Sequence, residues 1–600
     1  MSPRSAQPSL PIRTSRAEPP AGPEPAAPER RRLPRWLRWI LLGLGTYILV
    51  ATIWLASAIL ASQQGLDALQ AVGQDLSAEN LLDGTGVDRI HAAEDDFETA
   101  HGRASSPFLA PIHHLPVIGR QVRSFATMSG AASDVAAITA DGAEEGTALV
   151  QGGVPAGPER VEVLRALSDI ADRAAARLAV VDVGSGEALI GPIAGAHEAF
   201  VDRKDGLEDA LLSSRDVSDA LATVFDGPTR YLLLAANNAE MRAGSGMFLS
   251  AGVMTFDDGE LDLGDMEPTG DLVLPAGVGT TDAAFEELWG FASPDRDYRN
   301  LALTPRFPIA GEQAARMWEA GGGVPVDGVM VVDAVGLQAL LAATGPVQVD
   351  DTQVNEHNVV GFLMHDQYLG AEGNEVRRDR LSDVARAAVN RLDEVDVDAG
   401  VLARSMRDAG SGRHLMLWSA EERLERAWER SGLAGDVGAR SLLLSVQNQG
   451  ANKLDQFLVV DARLDLGEPV DGTLSGTLTV EVANTTPPGE PTYVAGPNTP
   501  GVEAGEYVGW LTLHLPEAVG AEVVSGPPAT VTGAEGVSHV LVSEMRLLPG
   551  DATEWVVQLE LPESMEALTI EPSGRIPPIV WSVRGEEWSD DTTPRRTIDL

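Results

Sequence analysis

The 600-residue chain contains no cysteine. That excludes a disulfide framework, a thiolate metal site and a cysteine nucleophile, so the folded parts must stand on packing alone. Lysine is almost absent, with arginine outnumbering it 42 to 2, and aromatic residues make up only 5%. Mean hydropathy is −0.04, too low for a polytopic membrane protein, while 44% hydrophobic residues suffice to bury real cores. GSGM and GGG lack the Lys-Ser/Thr that makes a glycine loop a nucleotide cradle. No G-x-S-x-G, no H-E-x-x-H and no Ser/His/Asp spacing is present either. His113 and His114 are adjacent and have no third ligand nearby, so no metal site is read there. DDGELDLGDME, residues 257–267, lacks an EF-hand register and reads as a polar hairpin.

Charge is abundant and unevenly placed. Of 44 basic and 89 acidic residues, eight arginines and three glutamates lie in residues 1–38. That leaves 36 basic against 86 acidic beyond them, a balance near −50. Such a field repels nucleic acid and anionic lipid surfaces, and no nucleic-acid partner is expected.

Between the two charge regimes, Trp39 to Ala61 runs without a charged residue. As a helix it covers about 34 Å, enough for a hydrocarbon core of about 30 Å. Five arginines from Arg30 to Arg38 flank one end, and Ser62, Gln63 and Gln64 follow the other. This predicts a single-pass anchor in the cell membrane, with a cytoplasmic amino terminus and the bulk outside. The apolar run and its 38-residue leader exceed what a cleavable signal peptide needs, despite Ala56-Ser57-Ala58.

The pattern then divides the chain. Residues 1–38 read as a disordered basic cytoplasmic tail and 39–61 as the transmembrane helix. Residues 62–228 carry 3.6-residue apolar stripes, as in Val161, Leu164, Leu167 and Ala174, and predict a helical stalk or bundle. Residues 229–455 alternate strand and helix patterns, which predicts an α/β domain. The tight turn Asp258-Gly259 and the strand-helix phrase VDGVMVVDAVGLQALLAATGPVQV mark it. Residues 456–590 show period-two alternation, as in Leu474 to Val482 and Trp555 to Leu561, and predict a C-terminal antiparallel β-sandwich. TTPPGEPTYVAGPNTPGVEAG reads as a long loop, and 591–600 as a tail.

YLLLAANNAEMRAGSGMF, VDGVMVVDAVGLQALLAATGPVQV, NQGANKLDQFLVV and EVANTTPPGEPTYV stand in the order found in domain-of-unknown-function family 4012, bacterial membrane-anchored envelope proteins, which this chain resembles over most of residues 65–590. Arg306 in TPRFPIAG departs from an aspartate expected there. A more distant resemblance is to the LytR-CpsA-Psr family, which transfers polyprenyl-pyrophosphate-linked glycopolymers to peptidoglycan. VDGVMVVDAVGLQALLAATGPVQV and RRDRLSDVARAAVNRL carry it. It implies a LytR-CpsA-Psr-like α/β domain, with Arg242, Arg377, Arg378 and Arg380 as the phosphate-facing arginines.

The same resemblance implies a metal-holding aspartate two positions after Arg242, where the chain has Gly244 and Ser245. Transfer from a pyrophosphate needs such a carboxylate, so the expected role is non-catalytic binding or scaffolding in cell-wall or surface-glycopolymer biology. The expected partners are the membrane and a glycopolymer or polyprenyl lipid. The alternative is a glycopolymer phosphotransferase using Asp262, Asp265, Asp327 or Asp333; Mg²⁺ enters only with that alternative, and no other cofactor is expected. The densest polar cluster, Asn237, Asn238, Glu240 and Arg242, follows an apolar strand, where open α/β sheets bind ligands.

Overall fold

The computed structural model describes residues 35–74, 85–369, 380–395, 397–470, 472–591 and 595–600. Two compact units divide at Ser57/Ala58. The first consists, among the described residues, of helix α1 (Arg35–Gln74), which continues into the second. Its window Leu42–Leu66 has mean hydropathy 2.0 and is only 17% buried. Leu42, Ile48, Leu49 and Ile53 are exposed, so the helix is not clothed by protein as a core helix is. Its few hydroxyls bond back to the helix, Thr46 Oγ1 to Leu42 O at 2.9 Å and Thr52 Oγ1 to Ile48 O at 2.8 Å. The chain thus has one N-terminal helix long and apolar enough to cross a bilayer, consistent with a single-pass anchor.

In the second unit, among the described residues, four long helices come next: α2 (Thr85–Ala104), α3 (Ile118–Val150), α4 (Pro158–Ala179) and α5 (Pro192–Asp226), with two short helical turns, Pro107–Leu109 and Ala110–His113, between α2 and α3. Small residues let them pack closely, Ala93, Phe97 and Ala132 in one cluster and Ile90, Ala136 and Ala140 in another. Arg160 fastens this helical layer to the α/β region. Its guanidinium donates to Pro155 O (2.8 Å), Gly259 O (3.0 Å) and Asp393 Oδ1 (2.6 Å). It also lies over the Phe225 ring.

The α/β region is built on strands β1 (Thr229–Arg242), β2 (Ser245–Asp257), β3 (Glu260–Leu263), β4 (Gly328–Val332) and β5 (Leu415–Ser419), in the order β3-β2-β1-β4-β5. Only β1 and β4 run parallel. As the sequence predicts, Asp258 and Gly259 form the β2–β3 turn with positive φ, 50° and 80°. A side chain at Gly259 would also strike the Gly157 carbonyl. Both faces of the sheet are covered: α6 (Phe307–Ala320) packs on one, and α7 (Ala334–Thr344) with α8 (Arg380–Glu394) on the other.

Two further six-stranded sheets form the C-terminal region, and their apolar faces share one core that includes Leu444, Leu464, Val480, Leu513, Trp555 and Trp581. The expectation of wholly antiparallel pairing is corrected here. Residues 461–464 pair parallel with 580–583, and 569–570 pair parallel with 441–442. The last strands re-enter each sheet beside a distant strand rather than by a hairpin, and period-two alternation cannot distinguish the two directions. Strand Ser441–Asn448 already belongs to these sheets, and Arg596–Asp599 is a strand rather than a tail. Phe285, Leu288, Trp289 and Leu303 pack against Val540 and Val542, so an apolar seam joins the α/β region to the sheets. Arg306 closes this side with a two-pronged bond to Asp436 (2.8 and 3.1 Å).

Candidate functional site

At Asn237 the β1–β2 ladder breaks. Asn237 still faces Met247, the next paired residue is Met241, and Asn238, Ala239 and Glu240 have no partner across the strand. Such a bulge re-aims side chains that regular pleating would send elsewhere. Gly246 makes it possible, because a Cβ there would sit on the Asn237 carbonyl carbon and oxygen. The bulge lies beyond the carboxyl ends of the parallel pair β1 and β4.

The polar residues released there go in three directions. Asn238 turns inward, donating to Asp333 Oδ2 (2.8 Å) and Gly574 O (3.2 Å). Asp333 caps α7 through the Val335 and Gly336 amides (2.9 and 3.0 Å), and also accepts from Ser245 Oγ (2.8 Å) and His414 Nδ1 (2.7 Å). Burial alone raises the Asp333 carboxyl. The neighbouring His414 charge and the accepted hydrogen bonds outweigh it and hold the group below its ordinary value. For His414 burial lowers the imidazole, while Asp333, aided by Asp590 and Asp591, carries it above its ordinary value. Ser245 bonds Asp333 and not His414, so the three do not form a nucleophile-base relay.

Arg242 points away into the C-terminal sheets, donating to Asn448 O and to Met241 O at 3.2 Å. Burial pulls its guanidinium down to about 10, with Asp455 opposing. It is 5% exposed and does not line the cavity on which Asn237 and Glu240 open. Arg380 lies over the Phe362 ring and pairs with Asp350 at 3.3 Å. Arg377 and Arg378 lie outside the described residues. Arg242 and Arg380 therefore do not converge on one phosphate. Of the four alternative carboxylates, Asp333 is consumed as a helix cap, Asp327 accepts the Arg230 amide at 2.8 Å, Asp265 pairs with Arg386, and Asp262 sits on β3. None of them lines the cavity.

Asn237 and Glu240 face a cavity of about 510 Å³ between the β1 bulge and loops of the C-terminal region. Asn237 Nδ2 donates to Tyr368 Oη at 2.9 Å, and its Oδ1 accepts the Ala239 amide. Glu240 forms an ion pair with Lys453, both about nine-tenths buried or more. The Lys453 ammonium stands 5.6 Å from the Tyr368 ring centre and 5.3 Å from that of Tyr493. Burial pushes this ammonium down to about 7, and Asp455 acts the other way. Tyr493 belongs to a single helical turn, Thr492–Ala495, inside the segment expected to be loop throughout. Gln367, 5% exposed, lines the same space, and its buried side-chain carbonyl oxygen has no hydrogen-bond partner. Met247, Leu249, Leu363 and Leu381 supply an apolar wall, and Arg299, paired with Asp297, stands at the margin.

Behind the cavity, Asp455 accepts from the Met241 amide (3.1 Å), Asn448 Nδ2 (2.8 Å) and Tyr507 Oη (2.9 Å). Arg575 donates to the Asp455 and Leu458 carbonyls. Burial raises the Asp455 carboxyl, against the pull of Arg575. This network locks the end of β1 to the sheets and so fixes the bulge. Sequence reasoning missed Lys453, Tyr368, Tyr493, Gln367 and Asp455. One signal was available: a lysine inside NQGANKLDQ, in a chain with only two, is a rare choice.

No curated protein matches the chain. No solved structure matches it. The matched family segment begins at the end of α5 and ends at Tyr368, taking in the β1 bulge, the α7 cap and one aromatic wall of the cavity, while NQGANKLDQFLVV and EVANTTPPGEPTYV fall outside it. Residues 226–368 match the model of the family described as Protein of unknown function (DUF4012), and the resemblance read from the sequence is supported on that segment.

Proposed function

We propose that this is a membrane-anchored, extracytoplasmic cell-envelope protein whose cavity binds the polar head of a cell-wall or surface glycopolymer, or of its polyprenyl lipid carrier, without transforming it. In this reading α1 is the anchor, the arginine-rich amino terminus stays in the cytoplasm, and the two C-terminal sheets form a β-sandwich. The α/β region is then a diverged relative of the LytR-CpsA-Psr fold. The observation that carries the proposal is the cavity wall itself. A buried ion pair, two tyrosine rings and the side chains of Asn237 and Gln367 line it at a strand end, beside an apolar wall. Hydroxyl-rich heads suit such donors and acceptors, and an isoprenoid or acyl chain suits Leu249, Leu363 and Leu381.

The second reading, phosphoryl transfer, finds little support in the geometry. Arg242 is sequestered and Asp333 is saturated with hydrogen bonds. The test uses the full-length protein in nanodiscs with polyprenyl pyrophosphate and Mg²⁺, following bound lipid by native mass spectrometry and phosphate release by colorimetry. Retained lipid without phosphate release supports binding. Phosphate release that disappears in Arg242→Ala would overturn it in favour of transfer.

A further inference from the structure

We infer that the cavity beside Glu240 recognises an uncharged sugar ring, through its hydroxyls and its C–H face, and discriminates against a phosphate or pyrophosphate head. This rests on the proposed binding reading and narrows it, choosing the glycan over the phosphate of the lipid carrier. At about 510 Å³ the cavity falls in the range of about 300–1,000 Å³ usual for small-molecule sites. What its wall still offers, once internal bonds are counted, decides what can bind.

An anionic head needs cations that are not already matched, or the open amides of a helix N-terminus. Among the described residues, two cations line the cavity, Lys453 and Arg299. Lys453 is matched by Glu240, and burial lowers its ammonium to about 7, so it is a weak cation as well as a paired one. Arg299 is matched by Asp297, with Nε donating to Oδ1 at 2.8 Å and Nη2 to Oδ2 at 2.6 Å. Ala334, the first residue of α7, lines the same space, but its amide donates to Asn238 Oδ1 (3.3 Å) and the next two amides to Asp333 Oδ1 (2.9 and 3.0 Å). The carboxylate that caps this helix thus takes the bonds a phosphate would use. Both devices are present, and both are spent.

The unmet bonding capacity is of the other kind. Gln367 donates through Nε2 to the Leu363 carbonyl, and its buried Oε1 has no partner. Thr269, buried in the wall, spends its proton on Phe248 O at 2.8 Å and keeps only lone pairs. Together with the Glu240 carboxylate, these are acceptors that call for donors. A sugar hydroxyl donates, whereas an ionised phosphate brings only further acceptor oxygens. The aromatic pair suits the same ligand. The Tyr368 and Tyr493 ring centres are 5.4 Å apart with planes tilted by 42°, so the rings do not close on each other as a stack. Tyr368 is buried and Tyr493 half-buried, which makes Tyr493 the ring that the C–H face of a sugar can reach.

The test uses the full-length protein in phosphatidylcholine nanodiscs and two kinds of probe. Uncharged oligosaccharides of glucose, galactose, arabinose and N-acetylglucosamine are read by saturation-transfer NMR, and inorganic pyrophosphate by the broadening of its phosphorus line. The expected result is saturation of a sugar that survives an increase in salt of about tenfold, because an uncharged ligand is not screened. Tyr493→Ala should weaken that sugar about tenfold and Tyr493→Phe should keep it, since the ring rather than its hydroxyl makes the contact. Pyrophosphate should stay sharp. Pyrophosphate broadening that salt abolishes, without sugar saturation, would overturn the inference and leave the binding reading standing. Sugar saturation unchanged in Tyr493→Ala would also overturn it, placing the sugar elsewhere. Silence from both probes would overturn it as well, and the binding reading would fall with it only if protein taken from its own membrane also carried no adduct.

Discussion

Lys453 meets Glu240 across the joint between the C-terminal loops and the β1 bulge, inside a frame made by Tyr368 and Tyr493. One end of a buried ion pair without the other is an uncompensated charge, which costs about 3–5 kcal/mol, whereas removing both charges costs much less. Lys453→Met and Glu240→Gln should each lower the urea midpoint of the folded body strongly, and the double variant should recover much of the loss. Additive losses in the double-mutant cycle would show that the two groups do not interact.

Asp333 and His414 set a pH window. His414 titrates above its ordinary value, so its contribution to stability is complete below pH 6.5 and is lost as pH rises through the folded value. Asp333 titrates below its ordinary value, so its contribution is present above 3.8 and is lost as pH falls through the folded value. Urea midpoints should therefore decline on the alkaline side in the wild type, and this decline should flatten in His414→Asn. An equal alkaline decline in the variant would assign the effect elsewhere.

Arg160 should act as a local clasp. Arg160→Ala removes its bonds to Pro155, Gly259 and Asp393 together, a loss of about 3 kcal/mol if the freed acceptors stay partly buried. Hydrogen exchange should rise at the Asp258-Gly259 turn and the end of α8, with little change in the C-terminal sheets. Uniformly faster exchange would mean that Arg160 supports the whole body instead.

Gly246 has no room for a side chain, because a Cβ would meet the Asn237 carbonyl at 2.2–2.3 Å. Gly246→Ala must push β2 away from β1 where the bulge forms, and overpacking of this kind typically costs about 1–3 kcal/mol. The variant should lose ligand retention before it loses its fold. Circular dichroism paired with ligand occupancy separates the two effects.

How much was legible depends on which interactions are local. The apolar span, the α4 stripe, the Asp258-Gly259 turn and the strand-helix phrase at 328–344 depend on neighbours in sequence, and all appear where the periodicity places them. The cluster after RYLLLAANN was also readable, because polar residues ending a buried strand must go somewhere. What each member does was not readable. Arg242 is drawn away by Asn448, Asn238 by Asp333, and Glu240 by a lysine from another part of the fold. The parallel pairing of 461–464 with 580–583 is likewise a long-range choice that alternation does not encode.

The central claim, that the cavity beside Glu240 and Lys453 holds a ligand from the envelope, is tested most directly by native mass spectrometry of full-length protein carried from its own membrane into nanodiscs. Wild type should carry a non-protein mass that is lost in Tyr368→Ala and in the Glu240→Gln/Lys453→Met double variant. The same adduct on all three proteins, or none on any of them, would contradict it.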